Sequence, residues 1–272
     1  LVSRDLGHGR RRGRPGSAAV TALLMDVGNS RIKWGVLDDG ELRRTGHIAQ
    51  DRIREHGLTV ITTRIPRRVD EVFVSNVAGT TFATRLSGVV GAHCDCEVRF
   101  ARSQRAGWGV TNAYTQPRRM GVDRWVAMIG AWAELQSACL VVDAGTAVTL
   151  DAIDDEGNHL GGQIIAGVAT MAGALASATS DIPSVKPAPG RADTDLGMFA
   201  RNTAAAVREG AQNAVAGAVD RAMRTLQSNA CEPTVVLTGG DASRMLTTLS
   251  ETPVHRPHLV LQGLAHMLDH PQ

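Results

Sequence analysis

The sequence predicts an α/β protein made of two similar halves, and three observations carry that reading. Short apolar runs of strand length alternate with longer segments of helical periodicity. A strand, turn and strand pattern around Asp26 returns 117 residues later around Asp143. The 272 residues, 43% of them hydrophobic, suffice for two cores of ordinary domain size.

In the first half, the apolar run Leu23-Leu24-Met25 ends in Asp26-Val27-Gly28-Asn29-Ser30. A second strand is expected over Arg31–Leu37, then a turn at Asp38-Asp39-Gly40 and a third strand over Glu41–Ile48. Glu71–Ser75 and Glu97–Phe100 read as buried strands, with a helix-like segment at Thr80–Val90 between them. Pro117–Leu135, apolar at Met120, Trp125, Met128 and Ile129, reads as the helix that joins the halves. Trp34 and Trp125 are expected in a core or an interface.

In the second half, Cys139–Val142 runs into Asp143-Ala144-Gly145-Thr146-Ala147, and strands follow at Val148–Ile153 and His159–Ile165 around a polar turn. Val168–Ala178 and Phe199–Gln227 have helical spacing, and the Pro- and Gly-rich stretch Asp181–Gly197 is expected to be a loop or lid. Pro233–Leu237 gives a buried strand leading into Thr238-Gly239-Gly240-Asp241, where Asp241 or Ser243 suits a helix cap. The last helix is expected over Leu259–Leu268.

Charge and composition exclude several classes. Five arginines against Asp5 give residues 1–24 a net charge of +4, so the rest of this +2 chain carries −2. The basic pI near 8.5 thus belongs to a tail, and direct nucleic-acid binding is not expected. No apolar run reaches the roughly 18–20 residues that a membrane-spanning helix needs, so no membrane association is expected. The tail lacks the apolar segment of a secretory signal and is expected to be disordered or outside the native protein, Met25 being a candidate start. An Arg-rich organellar presequence is the alternative. Four cysteines, Cys94, Cys96, Cys139 and Cys231, are too few for a disulfide framework and suit a reducing cytoplasm. Cys94-Asp95-Cys96 has no second pair at zinc spacing and reads as a solvent-facing turn and strand start.

The two Asp-x-Gly turns carry the chemistry. Glycine lets backbone N–H groups approach phosphate oxygens, and the aspartate can hold a cation or its water against them. One such turn alone matches an ordinary hairpin; two in equivalent places point to a nucleotide. The glycine turn Thr238-Gly239-Gly240 suits close approach to a base and ribose. By themselves, Asp123 and Arg124 read equally as a helix cap and a solvated ion pair, and Lys33 as an exposed strand residue.

Taken in order, Asp26–Ser30 with Lys33, Asp143–Ala147 and Thr238–Asp241 resemble the two phosphate motifs and the adenosine motif of the actin, hexokinase and acetate kinase superfamily. Gly121-Val122-Asp123-Arg124, the run Asp143–Asp151 and Gly161-Gly162-x-Ile164 narrow the resemblance to type III pantothenate kinases, over Met25 to about Leu268. The resemblance implies two ribonuclease-H-like domains with mixed five-stranded sheets and flanking helices, at 25–117 and 118–272. It implies ATP-dependent phosphorylation of pantothenate, opening coenzyme A synthesis. Asp26, Gly28, Asn29, Ser30 and Lys33 would form the first phosphate loop, with Asp26 placing Mg²⁺. Gly145 and Thr146 would meet the other phosphates, Asp143 a monovalent cation such as K⁺ or NH₄⁺, and Thr238, Gly239 and Gly240 the adenosine. Asp123 would be the general base. Tyr114, Gly121, Arg124 and Thr203 would bind pantothenate, Thr203 from the partner subunit of a homodimer.

One departure is Ala166, where the family commonly has proline after Gly-Gly-x-Ile-x; a looser turn is expected there. Two other readings stand beside this one: an actin-like kinase or phosphatase with another acceptor, and a non-catalytic accessory or regulatory protein that keeps the nucleotide fold. Asp26, Asp123 and Asp143 favour catalysis over the latter.

Overall fold

The computed structural model describes residues 21–185, 198–229 and 232–272. Residues 1–20, most of the tail, and 186–197, most of the expected lid, lie outside the described residues, as does Cys231. The first half runs β1 (Ala22–Val27), β2 (Arg31–Asp38), β3 (Glu41–Ala49), α1 (Gln50–His56), β4 (Glu71–Asn76), α2 (Thr80–Cys94) and β5 (Val98–Phe100). A two-residue hairpin, β6 (Ala106–Gly107) and β7 (Val110–Thr111), leads to α3 (Val122–Leu135). The second half runs β8 (Cys139–Ala144), β9 (Ala147–Ile153), β10 (His159–Ala166), α4 (Val168–Ala178), α5 (Thr203–Gln227), β11 (Thr234–Thr238), α6 (Ala242–Met245), β12 (Val254–His255) and α7 (Leu259–Asp269).

The two sheets have the same order, β3-β2-β1-β4-β5 and β10-β9-β8-β11-β12. In each, an antiparallel meander of three strands is extended by two parallel strands, so the repeat read from the sequence is a repeat of topology. The central strands are apolar throughout because both their faces are covered. Leu23, Leu24 and Met25 are fully buried, each contributing roughly 1.5–3 kcal/mol of burial. β1 therefore begins three residues before Met25, within the stretch read as tail.

Helix α3 lies in the core that joins the halves, and nearly every side chain from Arg124 to Trp132 is buried. It packs against β8 and β4, and α7 lies on it and on β1 and β4. The C-terminal helix thus returns to the first sheet. Glycines permit that approach: a Cβ on Gly263 would strike the Val126 backbone, and one on Gly130 the Leu259 carbonyl. Asn202 caps α5, its side-chain oxygen accepting from Ala205 N–H at 2.9 Å.

Some local expectations change. α2 continues to Cys94 and ends on left-handed Asp95 (φ 55°), so Cys94 is buried in a core cluster and not in a solvent-facing turn. Asp241 stands at the α6 N-cap position without capping it; its carboxylate pairs with Arg244. Arg124 is buried, not solvated, because it has an internal carboxylate partner. At Ala166 the turn is held by local contacts. Ala166 stays paired with Ala147, while Gly167 N–H (2.9 Å) and Thr170 Oγ1 (2.6 Å) both donate to Thr146 O.

Candidate active site

The turns that close β1–β2 and β8–β9 face one another across a cleft of about 230 Å³. Asp26, Gly28, Asn29, Ser30 and Lys33 line it from the first sheet, and Asp143, Gly145 and Thr146 from the second. Asp123, in the first turn of α3, and Gly240 complete the set of expected residues on its wall. The chain thus gathers residues more than two hundred positions apart around one space.

The turns are analogous but not identical. Gly28 N–H donates to Arg31 O and Gly145 N–H to Ala147 O, both at 3.0 Å, so the first turn is one residue longer. The Ser30 and Thr146 hydroxyls lie 2.6 Å apart, linking the two turns directly. Gln50, at the start of α1, braces the first turn: its Nε2 donates to Gly28 O and its N–H to Ser30 O, each at 2.9 Å. A buried glutamine next to a phosphate-type turn carries no sequence pattern, and this brace was legible only in three dimensions.

Three carboxyl groups and one ammonium group set the electrostatics. Asp26 and Lys33 are cross-strand partners in β1 and β2. Burial pushes the Asp26 carboxyl up to about 7; Lys33 opposes the rise, and Asp143 and Asp123 add to it. Burial likewise pushes Asp143 up to about 6 against Lys33, with Asp123 and Asp151 contributing. Asp123 is raised by burial against the Arg124 N–H, which donates to its Oδ1 at 2.8 Å. Clustered acids that resist ionisation mark a place prepared for positive charge or for proton transfer.

The third turn is positioned by the second sheet. Thr238 is buried in β11, and Gly239 takes φ +104°, where a Cβ would collide with the Ala144 backbone and the Asp143 carboxylate. Asp241 N–H donates to Ala144 O at 2.9 Å, leaving Gly240 and Asp241 at the cleft. Arg31, two residues before Lys33 on β2 and so on the same face of the strand, also lines the cleft.

The four remaining expected residues lie off this wall. Gly121 precedes α3 and lines an adjoining cavity of about 660 Å³, which also holds Arg102 and Arg118. Arg124 points inward to Asp151 and donates to the Tyr114 hydroxyl at 2.7 Å. Thr203, exposed at the start of α5, is not brought to the cleft.

The type III pantothenate kinase family matches residues 22–225, which include both Asp-x-Gly turns and Asp123. The chain belongs to this family. It is 34% identical over 254 residues to a type III pantothenate kinase of Nitrosococcus oceani, covering 90% of this chain and 92% of that one. With the type III pantothenate kinase of an Azoarcus species it shares 38% over 243 residues, 89% of each chain.

Solved structures agree on the architecture of this type III pantothenate kinase family member. A 2-dehydro-3-deoxygalactonokinase protein from Sinorhizobium meliloti, described as putative, superposes with TM-score 0.57 at 15% identity, covering 92% of this chain and all of that one. A Campylobacter jejuni protein described as a Baf family transcriptional activator gives 0.56 at 20% identity, over 92% and 98%. Such likenesses concern the fold alone: two α/β units, each with a mixed five-stranded sheet and flanking helices. Among the described residues no helix is long and apolar enough to cross a membrane.

The donors fit a hard cation. Among the described residues no three acidic, histidine or cysteine side chains form a metal cluster, yet Asp26 and Asp143 both line the cleft, and the Asp143 charge raises the affinity of Asp26 for protons. One or two carboxylates with nucleotide phosphates supplying the remaining oxygens is the donor set that Mg²⁺ favours.

Proposed function

We propose that the chain transfers the γ-phosphoryl group of ATP to the primary hydroxyl of pantothenate, giving 4'-phosphopantothenate and ADP, the first step of coenzyme A synthesis. The observation that carries the reading is the meeting of both Asp-x-Gly turns around Asp123. Phosphoryl transfer depends mainly on positioning and charge neutralisation, and this cleft supplies both.

The Gly28–Ser30 and Gly145–Thr146 turns hold the phosphates through backbone N–H groups and the paired hydroxyls, and Lys33 adds positive charge beside Asp26. Asp26 would hold Mg²⁺, which would supply positive charge to the transferring phosphate. Asp143 holds a monovalent cation, K⁺ or NH₄⁺, and the Thr238–Gly240 turn meets adenosine. Asp123 accepts the proton of the pantothenate hydroxyl as that oxygen bonds to the γ-phosphorus and the bond to the β–γ bridging oxygen breaks. Burial raises Asp123 above ordinary carboxylates, which makes it a better proton acceptor than a solvated aspartate.

Gly121 and Arg124, which flank Asp123 in sequence, form the pantothenate side with Tyr114, whose hydroxyl accepts from Arg124. Thr203 completes it from a second subunit. Exposed Leu160 and Ile164 on β10, an edge strand, with Leu175 on the adjacent α4, support a homodimer buried through this face. The site belongs to a cytoplasmic enzyme that uses neither nucleic acid nor membrane.

The experiment is ATP-dependent formation of phosphopantothenate by the full chain with Mg²⁺, in K⁺, NH₄⁺ or Na⁺. Turnover that requires K⁺ or NH₄⁺ supports substrate and cation together. Absence of phosphopantothenate, with ATP bound, rejects pantothenate as the acceptor.

A further inference from the structure

Behind Arg124 and Tyr114 of the proposed acceptor side lie two buried polar residues, Asp151 and His159, that take no part in the chemistry proposed above. Asp151, on β9, uses both carboxylate oxygens on Arg124: Nε donates to Oδ2 at 2.8 Å and Nη2 to Oδ1 at 2.6 Å. The third guanidinium nitrogen, Nη1, donates to the Tyr114 hydroxyl at 2.7 Å. His159, on β10, brings Nε2 to 3.1 Å from Asp151 Oδ1, while Ala113 N–H donates to its Nδ1 at 3.4 Å. The Nε2 approach is a close contact without hydrogen-bond geometry. The Arg124, Asp151 and His159 side chains are at most 5% exposed.

A buried bidentate pair fixes the plane of a guanidinium far better than solvent does. Here the plane also bears on Tyr114, since Arg124 Cζ lies 5.5 Å from the centroid of that ring and the His159 ring stacks with it at a centroid distance of 6.1 Å. The arrangement requires space at one backbone position. A Cβ on Gly162 of β10 would strike the Asp151 carboxylate, the Arg124 guanidinium and the Leu150 carbonyl together. Gly161, its neighbour, meets nothing within 4 Å, so the two glycines of this pair are not equivalent.

We propose that Asp151, His159 and Gly162 are positioning residues for acceptor binding: they set the orientation of Arg124 and Tyr114, and the absence of a side chain at 162 admits the ion pair. This rests on the pantothenate reading only for the identity of the acceptor; the coupling between Gly162, Asp151 and Tyr114 stands apart from it. Loss of one partner leaves a buried charge uncompensated, so disruption is expected to reach both acceptor-side residues.

Tyr114 is the chain's single tyrosine, which gives a direct probe. The full chain labelled with ¹³Cζ-tyrosine yields one resonance, and Gly162→Ala and Asp151→Asn are each expected to displace it. Kinetics on the same proteins are expected to show KM for pantothenate raised about tenfold or more, with KM for ATP within about twofold. His159→Gln removes one Asp151 contact without emptying the cluster, and serves if the other variants do not fold. It is expected to shift the same resonance and the same KM. An unmoved tyrosine resonance in every folded variant overturns the proposal, as does an equal rise in both KM values. If the parent turns over no pantothenate, the functional reading falls and the resonance alone decides the coupling.

Discussion

Ser30 and Thr146, 116 residues apart on different sheets, hold their hydroxyl oxygens 2.6 Å from one another. Each belongs to a turn whose Asp-x-Gly pattern alone describes an ordinary hairpin. Their contact makes the two turns a single structure.

If that contact organises phosphate binding, Ser30→Ala and Thr146→Ala act on the same interaction. Each is expected to lower kcat/KM for ATP by about tenfold, and the double variant to lose less than the product, with a coupling of about 0.5–3 kcal/mol. Strictly multiplicative losses show that the hydroxyls act independently.

The acids of the cleft make a pH prediction. Asp26 and Asp143 rise from an ordinary value of 3.8 to about 7 and about 6, burial being the first cause for both. The folded state then binds more protons than the unfolded one, so their contribution to stability falls as pH rises from near 4 to near 7. Asp26→Asn is expected to raise the melting temperature of the ligand-free chain relative to the parent, with a gap that widens from pH 5 to pH 8. Mg²⁺ is expected to narrow that gap by stabilising the parent. Parallel melting curves across this range contradict the assignment.

Gly239 tests the adenosine turn. Its φ of +104° and the crowding against Ala144 and Asp143 make Gly239→Ala strained, at a cost of about 1–3 kcal/mol. KM for ATP is expected to rise with KM for pantothenate changed by less than about twofold, alongside a melting temperature lower by several degrees. A selective loss of pantothenate binding argues that this turn belongs to the acceptor.

The exposed strand β10 predicts the oligomeric state. Leu160 and Ile164 are 52% and 63% exposed. Sedimentation is expected to give twice the 28.8 kDa chain mass, and Ile164→Glu to give single chains with weakened pantothenate turnover. Single chains in the parent, with full activity, remove Thr203 of a second subunit from the site.

The parts that were legible in the sequence share a physical reason. β1, β8 and β11 are central strands covered on both faces, so they appear as unbroken apolar runs, and their ends carry glycine turns because backbone must face the cleft. What stayed hidden depends on contacts distant in sequence. Arg124 reads as a surface residue until Asp151, 27 positions later, is seen across from it. Gln50 braces the first turn from a seven-residue helix too short to announce itself by periodicity. α7 looks like a terminal helix of the second half, yet it rests on β1 and β4, a placement no local pattern encodes. Cys94 followed by Asp95 resembled a turn because the helix ends there on a left-handed residue; its burial came from the core beneath α2.

The most direct measurement compares the parent with Asp123→Asn in ATP-dependent phosphopantothenate formation, alongside the dissociation constant of Mg²⁺–ATP. If Asp123 is the proton acceptor proposed above, it contributes roughly 10²–10⁴-fold to kcat, and the variant binds the nucleotide within about twofold of the parent. A variant that keeps more than about a tenth of the parental kcat contradicts the assignment of Asp123 as the base.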